Sequence, residues 1–220
     1  KTVTGISRIG KQIVFEFGEG PVAVVHLMIA GRFHLKSPGA KANRKITLAL
    51  FEFPGMSLHL TEASTKKRAS IHIVAGREGL RAFDRGGLEV AASTPAEFRV
   101  ALTRENHTLK RTLTDPRILS GIGNSYSDEI LHRAQLSPLK LSSALTPEEI
   151  DRLRSAALET LETWTGILRA EAGRGFPEKG TAFRPQMGVA GKFGRPCPGR
   201  GTGGQRIAYA EDECHFCPRR

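Results

Sequence analysis

The chain has 220 residues, of which 39% are hydrophobic and 25% charged, as in a folded globular protein. No run approaches the roughly 18 apolar residues of a membrane-spanning helix, and no signal peptide opens the chain, so we expect a cytoplasmic protein without membrane contact. The net charge of +11, from 33 Lys and Arg against 22 Asp and Glu, predicts a polyanionic partner. Ribosomal and membrane-surface proteins share such a charge, so charge alone indicates no more than that.

The first third of the chain, from Lys1 to about Val74, is predicted to form short strands. Apolar and polar residues alternate over 13–17 and 46–50, and a longer apolar run covers 22–29. Gly and Pro residues between these runs predict tight turns, which favour an antiparallel sandwich or barrel over a parallel sheet. The chain starts at Lys1 without a methionine and almost within a strand, so we expect a domain entered partway through.

The second part of the chain is predicted to be mainly helical. A linker is expected around residues 84–93, followed by a helix from Pro95 to Leu102 and an amphipathic helix from Ser125 to about Ala134. A long helix is predicted to begin after Thr146, because Pro147 follows it and Glu149 stands three residues on, as in a capping box. Its core stripe is predicted from apolar residues at steps of three and four: Ile150, Leu153, Ala157, Leu161, Trp164 and Leu168.

A glycine-rich turn, Gly121-Ile122-Gly123-Asn124, precedes the helix that is predicted from Ser125. We expect both glycines to adopt positive φ and to let the backbone approach a ligand. The unpaired N–H groups that open the helix, together with the Asn124 side chain, predict a phosphate site. The alternative is an ordinary glycine-rich connection between helices.

A longer string from Asn106 to Pro138 contains this turn. It includes, in order, NHTLKR, DPR, GIGN, YSDEIL and SP. The string resembles the helix–two-turn–helix of the formamidopyrimidine-DNA glycosylase / endonuclease VIII family, in which the motif grips the DNA backbone around a damaged base. The resemblance implies DNA contacts for Lys110 and Asn124, with Gly121 and Gly123 shaping the turn.

Two segments of the strand-rich part resemble DNA-contacting turns of the same family. Arg8 to Val14 is similar to a hairpin whose lysine, here Lys11, reaches the DNA near the lesion. His26 to Arg32 is similar to the turn H-L-G-M-S-G, whose methionine fills the hole left by the flipped base and is replaced here by Ile29. Base extrusion requires such an apolar wedge. The alternatives are a solvated strand lysine and a core isoleucine.

A third segment departs from the family pattern. Where well-known members carry T-D-x-R-R-F-G, residues 58–70 keep the charge in Lys66, Lys67 and Arg68 but have no aromatic wedge. The lesion and the preferred opposite base are therefore left open.

The C-terminal tail resembles a zinc ribbon with an incomplete ligand set. Three candidate zinc ligands are present, Cys197, Cys214 and Cys217. Arg200 and Arg220 stand where the second and fourth ligands of the ribbon belong. Structural zinc requires four thiolate or imidazole ligands. We expect either a zinc site with a borrowed ligand or, as the favoured alternative, a hairpin that folds without metal. Arg200 is predicted to contact a DNA phosphate in both cases.

The resemblance implies an α+β fold with three parts. Residues 1–84 are expected to form a partial β-sandwich, residues 94–190 a helical domain with the helix–two-turn–helix, and residues 191–220 a zinc-ribbon-like hairpin.

The implied function is base-excision repair of oxidised bases in duplex DNA, as a monomeric, nucleoid-associated bacterial glycosylase with AP lyase activity. In the family an N-terminal proline amine attacks C1′, expels the base and forms an iminium, and a neighbouring glutamate acts as acid and base. Neither residue has a counterpart before Lys1, so we expect the nucleophile to be missing and assign only Lys11 to the catalytic group.

Two alternatives stay open at this point. One is a non-catalytic protein that retains the DNA-binding surface and binds damaged DNA. The other is an RNA-binding, ribosomal-type protein, which does not account for the Lys11 hairpin, the His26 turn and the ribbon spacing together.

Overall fold

The computed structural model describes residues 1–178, 180–209 and 212–219. The chain divides into two compact units. Unit 1 comprises Lys1–Phe83 and Ile167–Gly180, and unit 2 comprises Asp84–Gly166 and Thr181–Arg220. The predicted α+β fold is confirmed, with antiparallel sheets in unit 1, and helices followed by a C-terminal hairpin in unit 2.

Unit 1 contains two antiparallel sheets. One has the strand order β1-β2-β3-β7 and the other the order β4-β6-β5. The strands are β1 (Gly5–Ile9), β2 (Gln12–Glu16), β3 (Pro21–His26), β4 (Gly31–Lys36), β5 (Thr47–Phe53), β6 (Met56–Glu62) and β7 (Ser70–Ala75). A short 3₁₀ helix, Arg77–Ala82, follows them.

The two sheets of unit 1 share one apolar layer, so they form the predicted sandwich. Phe15 from the first sheet lies 6.0 Å, ring to ring, from Phe33 of the second, and Leu60 is fully buried beside them. Alternation along the strands places these side chains on the inner faces. A smaller cluster on the outer face of the first sheet contains Val14, Val22 and Val24.

Unit 2 is built on four helices: α1 (Pro95–Thr103), α2 (Leu109–Thr114), α3 (Asn124–Ala134) and α4 (Pro147–Ala172), the last of which runs on into unit 1 from Ile167. The predicted capping box at Thr146 is confirmed, because the Thr146 N–H donates to Glu149 Oε2 (2.9 Å) and the Glu149 N–H donates to Thr146 Oγ1 (3.3 Å). Ile150, Leu153, Ala157 and Trp164 of the predicted stripe are buried.

The segment expected to be a linker is part of the unit 2 core. The Leu88 N–H donates to Ile118 O (3.0 Å), the Ser120 N–H donates to Leu88 O (2.8 Å), and Val90 is buried among the helices. These two bonds also hold the segment before the glycine-rich turn, so residues 84–93 help to position that turn.

The C-terminal hairpin consists of β8 (Gln205–Tyr209) and β9 (Asp212–Phe216) and belongs to unit 2. The division of the chain at residues 84, 94 and 191 stays a prediction. Of the helices in the described residues, none combines the length and hydropathy of a membrane-spanning segment.

Candidate nucleic-acid interface

The glycine-rich turn opens α3 and leaves backbone donors uncovered. Gly121 has φ +83°, as predicted, a conformation that L side chains rarely adopt. Gly123 does not have the predicted positive φ: it is the N-cap of α3, with φ −105° and ψ 175°. An N-cap residue takes extended dihedrals, so here glycine serves by leaving the helix end bare.

The first turn of α3 has the unpaired donors that an anion site requires. No side chain caps the helix at Gly123, and the Ser127 N–H is the donor bonded to the Gly123 carbonyl (2.9 Å). The N–H groups of residues 124–126 precede that bond, so they have no acceptor within the helix and carry the positive end of its dipole. A phosphate oxygen is a suitable acceptor for them.

The segment before the turn is fixed by Asp115. Its carboxylate accepts the Arg117 N–H (2.9 Å), Arg117 Nε (3.0 Å) and Arg117 Nη2 (2.7 Å). The Asp115 carbonyl also accepts the N–H groups of Ile118 and Leu119, both at 3.0 Å. The hydrogen bonds from the Arg117 guanidinium lower the pKa of Asp115 from 3.8 to about 2. This carboxylate therefore keeps its charge to a lower pH than an ordinary aspartate does.

Lys110, which was predicted to contact DNA, points inward. Its Nζ donates to Asp128 Oδ1 (2.6 Å), Ser127 Oγ (2.8 Å) and the Asn124 carbonyl (2.8 Å), and its side chain is only 16% exposed. Asp128 is buried at 1% exposure. All three hydrogens of the ammonium are used, so Lys110 fixes the start of α3 and has no donor left for a phosphate.

Asn124 and Asp128 connect α3 to the C-terminal hairpin. Asn124 Nδ2 donates to the Glu213 carbonyl (2.9 Å), and the second oxygen of Asp128 accepts the His215 N–H (2.9 Å). An amide NH₂ has two hydrogens, so Asn124 keeps one donor for a ligand while it holds the hairpin.

Glu129, the next residue of α3, holds the segment that precedes the hairpin. Its carboxylate accepts the N–H groups of Gly188 (2.8 Å), Val189 (2.9 Å) and Ala190 (2.9 Å). The polar side of α3 is thus occupied by internal contacts from its first turn onward, and the uncovered donors lie at its N-terminal end.

The three cysteines predicted to form an incomplete zinc site are buried and form no disulfide bond with one another. Among residues 1–178, 180–209 and 212–219, no three His, Cys, Asp or Glu side chains are grouped closely enough to hold a metal ion. Cys197 Sγ instead lies 3.2 Å from Nε2 of His132 on α3. The donor set does not fit tetrahedral structural zinc.

Arginine side chains border the cysteines at this end of unit 2. Arg200, Arg219 and Arg133 line a cavity of about 140 Å³ together with Cys197 and Cys217. Arg200 is exposed and stands at the second predicted ligand position, where its guanidinium cannot bind a metal. Arg220, at the fourth position, lies outside the described residues.

In unit 1, Lys11 is exposed at the turn between β1 and β2. The next residue, Gln12, pairs with His26 at the end of β3. Burial first, and the positive charge of Lys11 second, lower the pKa of His26 below its usual range. Because Gln12 lies opposite His26, the strand pairing places Lys11 at the same end of the sheet as the turn between β3 and β4.

The turn between β3 and β4 exposes apolar side chains at its tip. Ile29 is 77% exposed, so it is not the core residue of the alternative interpretation, and Met28 beside it is 40% exposed. The Gly31 N–H closes the turn by donating to the Leu27 carbonyl (2.8 Å).

The segment that lacks the aromatic wedge is closed on itself. The Glu62 carboxylate, 1% exposed, accepts the N–H groups of Arg68 (2.8 Å to the nearer oxygen) and Ala69 (3.0 Å), and Lys67 Nζ donates to the Glu62 carbonyl. Lys66, Lys67 and Arg68 are exposed.

Two family models match the chain, one within unit 1 and the other mainly within unit 2. Residues 1–69 match the formamidopyrimidine-DNA glycosylase N-terminal domain, and residues 89–169 match the formamidopyrimidine-DNA glycosylase H2TH domain. Fold and motif together define a DNA glycosylase of the helix–two-turn–helix class.

Curated relatives agree with both matches. The formamidopyrimidine-DNA glycosylase of Ligilactobacillus salivarius (strain UCC118) is 30% identical over 238 residues, which cover 100% of this chain and 81% of the relative. That of Lactococcus lactis subsp. lactis (strain IL1403) is 30% identical over 226 residues, with 99% and 81% covered. The chain belongs to the formamidopyrimidine-DNA glycosylase family.

Solved structures of similar proteins contain DNA. The Lactococcus lactis Fpg in complex with DNA containing an abasic site has a TM-score of 0.85 and 26% identity, with 99% of this chain and 81% of that chain covered. MutM in complex with DNA containing carbocyclic 8-oxo-G has a TM-score of 0.82 and 26% identity, with 98% and 80% covered.

Sequence reasoning missed the residues that hold the site together. The sequence pattern places Asp128, Glu129 and His132 on the polar side of an amphipathic helix. Each of them nevertheless contacts a segment at least 59 residues later in the chain. Their respective partners are His215, Gly188 and Cys197. Asp128 and Glu129 stand four and three residues before His132, and this spacing was the available signal, because it makes both of them neighbours of His132 on the surface of α3.

Proposed function

We propose that this chain acts in DNA base-excision repair as a glycosylase with AP lyase activity on oxidised bases in duplex DNA. The observation that carries the proposal is the bare N-terminus of α3, with its uncovered N–H groups, in a segment that matches the family's helix–two-turn–helix. Similar proteins have been solved with abasic, 8-oxo-G and Fapy-dG DNA, which supports damaged duplex DNA as the ligand.

The DNA backbone is bound, in this proposal, at the start of α3. The N–H groups of residues 124–126 and the second amide hydrogen of Asn124 donate to phosphate oxygens, and Gly121 and Gly123 keep the approach free of side chains. Lys110 acts indirectly, since its ion pair with Asp128 fixes the helix start. The positively charged guanidinium of Arg200 binds a neighbouring phosphate.

Unit 1 supplies the contacts near the lesion. In this proposal Lys11 contacts the nucleotide that reacts. Ile29 enters the gap that the flipped base leaves in the base stack. The family's chemistry proceeds through attack of an amine on C1′ and an iminium intermediate. Cytoplasmic location, association with the nucleoid and action as a monomer belong to the same proposal.

Zinc has no part in this proposal. The C-terminal hairpin and the segment before it are held by hydrogen bonds from Asn124, Asp128 and Glu129. The three cysteines and His132 do not form a four-ligand site.

The test is a gel shift on two duplexes, one intact and one with a tetrahydrofuran abasic site, combined with borohydride trapping on a natural abasic site. We expect the chain to bind the abasic duplex at least about tenfold more tightly than the intact one, because the unstacked site costs less to open. A covalent band after reduction would show that an amine of this chain, which we assign to Lys11, forms the iminium with C1′. Equal affinity for both duplexes would contradict a damage-specific function. Preferential binding without a covalent band would mean that the chain binds damaged DNA but does not carry out the lyase reaction.

A further inference from the structure

Met28 combines two features that a folded protein normally avoids. It is one of the non-glycine residues with positive φ in the described residues (φ 53°), and its long apolar side chain is 40% exposed. A residue with a Cβ in this conformation is strained by about 1 kcal/mol relative to glycine. Neither hydrophobic cluster of unit 1 contains Met28 or Ile29, so core packing does not offset the strain.

The turn that carries Met28 is held rigidly. Besides the Gly31–Leu27 backbone bond, Arg32 Nη1 donates to the carbonyls of Ile29 (3.0 Å) and Gly31 (2.6 Å). A Cβ at Gly31 would lie 2.2 Å from the Leu27 oxygen, so only glycine closes the turn this tightly. The two apolar side chains at the tip are therefore presented in one backbone conformation.

Basic residues border this apolar tip. Strand pairing sets His26 opposite both Gln12 and Ser70, and Gly31 opposite Glu62, so Lys11 and the loop 63–69 lie at the same end of the sheets as the tip. That loop carries the exposed residues Lys66, Lys67 and Arg68. An apolar tip with a cationic border fits an opened nucleic-acid stack with phosphates on either side, and an apolar protein partner would not require the charge.

We propose that Met28 and Ile29 together form a two-residue apolar wedge, and that Met28 is a specificity-determining residue for abasic and damaged duplex DNA. The loop 63–69 has no aromatic side chain, so the second inserted group comes from the turn itself. In the family turn that residues 26–31 resemble, the position of Met28 is a glycine, which accepts the positive φ without strain but inserts nothing. This inference rests on the proposed function and adds to it the group that fills the stack.

The experiment compares variants of Met28 on the intact and abasic duplexes. Met28→Gly relieves the strained φ and removes the side chain, whereas Met28→Ala removes the side chain and keeps a Cβ. We expect both to lose about tenfold of the preference for the abasic duplex, with unchanged affinity for the intact one and no fall in thermal stability for Met28→Gly. Met28→Leu should keep most of the preference, because volume and apolarity are retained.

Met56→Ala is the matched control, since this methionine is similarly exposed (43%) at the hairpin between β5 and β6. It should leave both affinities unchanged. If Met28→Gly and Met28→Ala bind the abasic duplex as tightly as the unaltered chain does, the wedge is overturned. If the unaltered chain shows no preference for the abasic duplex, the proposed function fails first and the wedge with it.

Discussion

Two turns of the molecule leave groups without the partners that they usually have in a folded protein. One turn joins β3 to β4 in unit 1, and the other precedes α3 in unit 2. The first exposes apolar side chains, Met28 and Ile29, on a braced backbone with positive φ. The second leaves the N–H groups of residues 124–126 without an acceptor within the helix, and its charged side chains Lys110 and Asp128 pair with each other. In the proposed function the first turn enters an unstacked base pair and the second binds a phosphate, so we propose that the two turns separate recognition of the lesion from recognition of the backbone.

The largest effect is expected from breaking the buried support of the second turn. Asp128→Ala leaves the Lys110 ammonium and the His215 N–H without their acceptor in a buried site, and we expect a loss of about 3 kcal/mol in the free energy of unfolding. Urea denaturation measures it. Glu159→Ala, which removes the exposed pair with Arg133, is the control and should cost less than about 1 kcal/mol. Equal losses for the two variants would mean that the buried pair has no special role.

The next effect is a pH dependence at the segment before the second turn. The Asp115 carboxyl has a pKa near 3.8 when unfolded and about 2 when folded. Its contribution is complete above pH 3.8 and is lost as the pH falls toward 2; we expect about 1 kcal/mol, because Arg117 is 58% exposed and water screens the pair. Asp115→Asn should therefore lower stability at pH 6 and flatten the acid limb of the stability curve. Asp151→Asn removes an exposed carboxylate of α4 and is the control for the loss of one negative charge. An acid limb in Asp115→Asn that follows the acid limb of the unaltered chain would contradict the account.

The comparison is sharpened by a variant of the phosphate turn on two DNA substrates. Asn124→Ala removes a donor to a phosphate, which carries no base information, so affinity should fall about tenfold for the intact and abasic duplexes alike. Gel shifts at fixed salt measure it. A loss confined to the abasic duplex would assign Asn124 to the lesion and merge the two roles that the turns are proposed to separate.

The smallest effect is expected from removing metal. A strong chelator, added with a thiol reductant, should change the free energy of unfolding by less than about 0.5 kcal/mol, whereas a structural zinc site contributes about 10 kcal/mol or more. Urea denaturation with and without chelator gives the answer, with elemental analysis of the purified chain as a check. A large destabilisation would mean that the cysteines bind a metal with a ligand set that their positions here do not form.

Local signals predicted much of this fold. The strands of unit 1 follow from alternation, and α4 follows from its capping box at Thr146 and its apolar stripe, because both signals lie within a few residues. The direction of Lys110 could not be predicted in this way. Its partner Asp128 is 18 residues further on and becomes a neighbour only when α2 packs against α3.

The two turns show the same limit at the level of the backbone. The glycines marked the turn before α3, yet only Gly121 has a positive φ, since Gly123 acts as an N-cap. In the turn after β3 the positive φ belongs to Met28, a residue whose type gives no signal of it. Sequence patterns locate a turn through glycine, but the dihedral angles of each residue depend on the elements that the turn joins.

The most direct test of the central claim is an amide NMR titration of the ¹⁵N-labelled chain with abasic duplex DNA. If the bare end of α3 grips the backbone, the amide resonances of Asn124, Ser125 and Tyr126 should show the largest shifts in unit 2 and should become protected from exchange with solvent. Those of His132 and Arg133, at the other end of the helix, should move little. Binding of the duplex without a change at residues 124–126 would contradict the claim, and would place the DNA contact elsewhere on the molecule.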